Sequence, residues 1–172
     1  MRKTLPLTLS AMLTALGVVL LWLGGLIEVF DLTVAAIVAL FVLFAHRELP
    51  RPCAYMIYLG TSLLGLLLLP AKTAAMVYAA FVGWYPIAKY HLDHLPRLFS
   101  WLLKMLIFNI AVALMLLASV FVFGLPNEGL PVYLVIFAAG NLSFVLYDIL
   151  LNRLYILYAA RLRARVQRIL HK

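Results

Sequence analysis

Six long apolar stretches follow one another along this chain, at residues 5–27, 32–45, 52–69, 71–88, 98–123 and 130–158. A helix needs about 20 mostly apolar residues to cross a bilayer core. In hydrocarbon the backbone finds no outside hydrogen-bond partner, so an open chain crosses only as helices. The expected fold is therefore all-α: a polytopic membrane protein of about six transmembrane helices. The stretch 32–45 is short for a span and is the weakest of the six, unless it borrows Phe30 and His46 or lies where the bilayer thins. Pro6 is tolerated in a first helical turn. Gly83 and Pro86 are expected to bend the end of the fourth helix.

Composition agrees. Of 172 residues, 67% are hydrophobic and 12% charged, against about 45–50% and about 25% in soluble domains. Residues 1–172 read as a single integral membrane domain with a short basic cytoplasmic tail at 159–172. The start, MRKTLPLTLSAML, resembles a signal peptide. Its apolar stretch runs to Ile27 with no clear cleavage site, which reads as a retained first helix. The single Cys53 excludes an internal disulfide and a cysteine metal cluster.

Charge sets the orientation. The flanks MRK, HRELPR, KYHLDHLPR and RLRARVQRILHK are basic, whereas the opposite flanks hold Glu28, Asp31, Lys72 and Glu128. The positive-inside rule puts both termini in the cytoplasm, which needs an even number of spans. The net charge of +8 reads as a topology signal beside membrane segments, with no nucleic-acid partner. The expected location is a cell membrane crossed several times, and membrane lipid is the first partner.

Polar residues within the apolar stretches narrow the role. Lys104 lies in WLLKMLIFN, roughly 9 Å below an entry near Leu98 at 1.5 Å per residue. A lysine at the bilayer centre costs about 2.5–3.5 kcal/mol on insertion scales. It either snorkels to the headgroups or meets an acid. Asp148, Asn152 and Asn141 fall on one face of the sixth helix, a polar stripe not expected to face lipid. A Lys104–Asp148 bridge of structural character is the favoured pairing, ahead of a proton relay or a catalytic centre. Lys89 suits the cytoplasmic surface, and Trp84, Tyr85 and Tyr90 suit the interface. HLDH at 91–94 has no metal-specific spacing, so no metal and no cofactor are expected. There is no GxSxG, HExxH, paired-Asp motif or phosphate loop, and no catalytic residue is assigned.

Small residues mark close approach between helices. Ala11 and Ala15 form an AxxxA pair in the first helix, beside Ser10 and Thr14. Ala75, Ala79 and Gly83 repeat the spacing in the fourth. Packing inside the bundle is the plain reading of each.

With its short helices, basic tail and alanine pair, the chain resembles the substrate-binding S components of energy-coupling factor transporters. LLPAKTAAMVYAAFVGWYPIAK, followed by WLLKMLIFN, is also similar to small bacterial membrane proteins regarded as S-component-like. The resemblance implies that Ala11 and Ala15 contact a transmembrane coupling subunit served by separate ATPases. It also implies a small-molecule ligand captured on the outer side. The polar and aromatic residues available there are Glu28, Asp31, Lys72, Tyr78, Glu128 and Tyr133, with Asn109 and Asn141 near mid-membrane. Each has a plainer reading, as a loop charge, an interface aromatic or a bond between helices. Scaffold proteins of the MreD type, which serve cell-envelope assembly, have a similar size and layout and give the alternative.

Overall fold

The structure is a computed structural model that describes residues 4–26, 31–70, 72–121, 124, 129–161 and 163. Its elements are α1 (Thr4–Gly24), α2 (Asp31–Glu48), α3 (Arg51–Leu68), α4 (Thr73–Val77), a π-helical segment (Tyr78–Val82), α5 (Tyr85–Leu92), α6 (Arg97–Phe121) and α7 (Leu130–Arg161). No strand occurs among the described residues. Four helices, α1, α3, α6 and α7, are long and apolar enough to cross a membrane.

α2 is as long as α3, 18 residues each, but carries Asp31, Arg47 and Glu48 at its ends. It lies at the centre, against α1, α3, α4, the π segment and α5. Ala35, Val38, Ala39, Val42 and Ala45 are fully buried. The stretch that looked weakest as a span is thus the helix most enclosed by protein. Side chains of its neighbours surround it, which reduces the demand on its own hydropathy.

α1 closes on α2 and α3 through small residues. A Cβ on Gly17 would lie 3.0 Å from Val38 and 3.2 Å from Thr61, and one on Gly60 would lie 2.9 Å from Thr14. Ser10, buried on the same side, donates back to the Pro6 carbonyl at 2.8 Å. Ser10, Thr14 and Gly17 therefore make the inward face. Ala11 and Ala15 fall outside it and are exposed.

The fourth stretch does not simply end at its glycine and proline. Through the π segment it gains an extra residue per turn, and α5 then starts at Tyr85 with Pro86 in its first turn. Pro86 has no N–H for the Val82 carbonyl four residues back. That carbonyl accepts from the Tyr147 hydroxyl at 3.0 Å. The Ala79 carbonyl accepts from Tyr58 Oη at 2.8 Å, and that of Ala80 from Trp84 Nε1 at 2.9 Å. Side chains from α3, α7 and the turn itself satisfy the carbonyls that the irregular segment releases. Gly83 must lack a side chain, because a Cβ would meet the Tyr78 ring at 2.8 Å and the Tyr58 ring at 2.9 Å.

α7 is held differently. Of its 32 residues, only Phe144, Asp148 and Leu151 are buried. Phe144 stacks on Phe108 of α6 with centroids 4.8 Å apart, and meets Phe81 and Tyr85 edge-on. Between α7, α2 and α6 a cleft stays open.

Candidate functional site

Two polar or concave features stand out, a closed ion cluster and an open cleft. The cluster is built on α5, whose Tyr85 and Lys89 lie four residues apart on one face, with Asp93 at the helix end one further turn on. The Tyr85 hydroxyl donates to Asp148 Oδ1 at 2.5 Å. Lys89 Nζ bonds the same oxygen and lies 3.7 Å from Asp93. Lys104 of α6 pairs with Asp93 and lies 3.6 Å from Asp148. Lys89, Lys104 and Asp148 are buried, while the Asp93 side chain is 42% exposed and opens the cluster toward one end.

Two lysines face two aspartates, so the formal charges cancel. Every charged group has a charged partner, and Asp148 accepts hydrogen bonds from Tyr85 and Lys89 with Lys104 close by. Such a cluster suits a clasp of α5, α6 and α7. Its charged groups are paired with one another across the three elements.

Lys104 and Asp148 are thus brought within ion-pairing distance, as their positions suggested, yet each has a nearer partner. Lys89, assigned to the cytoplasmic surface, is buried against Asp148. Tyr85, assigned to the interface, is fully buried beside it. Pro86 reads in the sequence as the end of a helix, but the helix restarts there and carries both residues inward. The spacing Tyr85, Lys89, Asp93, four apart each time, was the available signal. Asn152 is exposed and does not join Asp148. The inward stripe stops at Asp148 and Leu151.

Among the described residues, those proposed for a ligand on the outer side do not gather at one place, although Asn109 and Asn141 meet each other. Glu28 and Glu128 lie outside the described residues. Asp31 is buried at the start of α2. Lys72 Nζ donates to the Leu66 carbonyl at 2.7 Å, closing the end of α3. Tyr78, expected as an interface or ligand aromatic, is fully buried next to Tyr58. Asn109 and Asn141 exchange hydrogen bonds at 3.1 and 3.0 Å, tying α6 to α7. Tyr133 is half-buried on α7. None of these described residues lines the cleft. Among the described residues no group of three His, Cys, Asp or Glu could hold a metal ion.

The cleft has two parts. The larger, about 800 Å³, is almost wholly apolar and runs between α2, α6 and α7, past Ile37, Leu40, Phe81, Met115, Leu146 and Leu154. The smaller, about 480 Å³, continues from Leu40 and Leu154 to the far ends of α2 and α7, where Arg47, Tyr155, Tyr158 and Arg161 replace the aliphatic lining. Volumes of about 300–1,000 Å³ are usual for small-molecule sites.

Comparison with protein-family models, with curated proteins and with solved structures finds no match for this chain.

Proposed function

We propose that this chain is a non-catalytic, multi-pass subunit of a bacterial inner membrane with both termini in the cytoplasm. In this reading it is the ligand-binding component of an energy-coupling factor type transporter. It docks through α1 on a transmembrane coupling subunit and relies on separate ATPases for energy.

The observation that carries this reading is the division of α1. One face, with Pro6, Ser10, Gly17, Leu21 and Gly24, is buried. Ala11 and Ala15 lie outside it, one turn apart and exposed, flanked by Met12 and Leu16. Small residues let a second helix approach closely in a bilayer. With the inner packing assigned to other residues, this pair is free for a partner. The ligand then belongs in the apolar cleft between α2, α6 and α7, not among the outer-side polar residues.

The test is co-purification with coupling subunits. Ala11→Trp or Ala15→Trp should abolish assembly and leave the purified protein folded, with stability changed by no more than about 0.5 kcal/mol, as at exposed sites generally. Unchanged co-purification would refute the docking role. A second reading, an MreD-like scaffold of envelope assembly, draws on the failure of the described outer polar residues to gather at one place. Capture of wall-synthesis membrane proteins in place of coupling subunits would favour it.

A further inference from the structure

Arg47 differs from the other buried or half-buried cations of this protein. Its guanidinium lies between two aromatic faces, 4.6 Å from the Tyr90 centroid and 4.3 Å from that of Tyr155. Stacking of this kind fixes the plane of the group. The Nε is buried and has no hydrogen-bond partner. Among the described residues no carboxylate lies within ion-pairing distance of it. The adjacent Glu48 is engaged by Arg163 at 3.1 Å. An oriented, partly buried positive charge without a counter-ion is costly in a low-dielectric setting, and the cost falls when an anion binds it.

The surroundings specify what kind of anion. Arg47 stands at the end of the smaller part of the cleft, with Arg161 at the same mouth and Leu43, Phe44 and Leu157 along its walls. Leu40 and Leu154 line both parts, so the cationic end adjoins the apolar cleft. Thr33 and Arg47, at the two extremes on α2, stand fourteen residues apart, about 21 Å along the helix at 1.5 Å per residue. One leaflet of hydrocarbon is about 15 Å deep, half of the bilayer core. The groove therefore has the length for an acyl chain and, at one end, the charge for its headgroup. A free inorganic anion would use only the two arginines and would leave the continuous apolar walls without an occupant.

We propose that the groove between α2 and α7 binds an anionic phospholipid, its phosphate held by Arg47 and Arg161 and one acyl chain lying in the apolar cleft. Basic pockets between helices at the cytoplasmic membrane face are suited to such headgroups. The lipid would take the cleft that the transporter reading gives to its ligand, so the two compete for that space, and the lipid titration is read independently of coupling-subunit assembly. A lipid held here would set the separation of α2 from α7 whatever the protein's wider role.

The experiment is lipid titration of the delipidated, detergent-purified full chain, read by native mass spectrometry and by thermal shift. The probes are phosphatidylglycerol, phosphatidylcholine and glycerol phosphate. Phosphatidylglycerol should bind at a stoichiometry of one and raise the melting temperature. Phosphatidylcholine, with the same chains and no net charge, should bind at least tenfold more weakly, and glycerol phosphate should have no effect in the same range. Arg47→Gln and, separately, Arg161→Gln should weaken phosphatidylglycerol binding about tenfold or more, while Arg97→Gln, an exposed basic residue outside the groove, should leave it unchanged. Leu154→Trp should also reduce binding by filling the junction of the two parts. Equal affinity for phosphatidylcholine would overturn the proposal. So would wild-type binding by both arginine variants, or glycerol phosphate binding as tightly as the lipid. If Arg47→Gln does not fold, Arg161→Gln decides, because Arg161 is exposed at the last turn of α7.

Discussion

The two sides of this bundle are closed by different forces. On one side α1, α2 and α3 meet by shape. Gly17, Gly24 and Gly60 each stand where an added Cβ would fall within 3.0 Å of a neighbouring side chain. On the other side α7 touches the bundle through separate contacts, among them the Phe108–Phe144 stack, the Asn109–Asn141 pair, the Tyr147 hydroxyl on the Val82 carbonyl and the ion cluster around Asp148. In lipid, apolar helices gain no hydrophobic drive to associate, so fit and polar bonds do that work. A side closed by fit leaves no room. A side held by polar points leaves a gap between them, and the cleft of about 800 Å³ is that gap.

The largest effect should come from opening the polar side. Asp148→Ala removes the carboxylate that Tyr85, Lys89 and Lys104 share and leaves buried lysine charge in its place. Breaking a buried ion pair from one side costs about 3–5 kcal/mol. Thermal denaturation in detergent should show a loss of that order. A change below about 1 kcal/mol would mean that the cluster holds nothing together.

Overfilling the shape-closed side should cost less. Gly17→Leu forces a side chain against Val38 and Thr61, and overpacking typically costs about 1–3 kcal/mol. The same melting experiment should show that loss without any change in the cleft. If Gly17→Leu were neutral, the approach of α1 to its neighbours would be looser than these distances imply.

The Asn109–Asn141 pair should matter least. Hydrogen bonds between membrane helices average about 0.6 kcal/mol, with a maximum near 1.7. Asn109→Ala should fall in that range. A loss as large as that of Asp148→Ala would move the hold on α7 from the ion cluster to the centre of the helix.

The contrast also explains what could be read from the sequence. Helix positions were legible because apolar runs and charged breaks mark them. Lys104 and Asp148 could be matched because each is conspicuous in an apolar run. Helix rotation was not legible. A membrane helix is apolar nearly all round, so the pattern that sets a soluble helix's inner face is missing. Asn152 and Asp148 share a face by spacing, yet only Asp148 is buried. Lys89 was hidden for a different reason. A basic residue after a proline, next to a loop, reads as a surface anchor, and the π segment that turns it inward has no sequence signature as plain as a glycine or a proline. Arg47 read as one more basic flank residue, since its two tyrosine partners are 43 and 108 positions away in the chain. The outer-side ligand residues were chosen by depth alone, and depth does not say which of them meet.

The most direct measurement is the distance across the cleft with the clasp intact and weakened. Spin labels at Ile37 and Leu146, both exposed and lining the cleft, would report the separation of α2 and α7. Labels at Met12 and Leu63, both exposed on α1 and α3, would report the shape-closed side. In Asp148→Asn the α2–α7 distribution should broaden and shift to longer distances, and the α1–α3 distribution should stay as in the unaltered protein. If both distributions stayed unchanged, α7 would not be held by the ion cluster, and the division of the bundle into a fitted side and a charge-held side would be wrong.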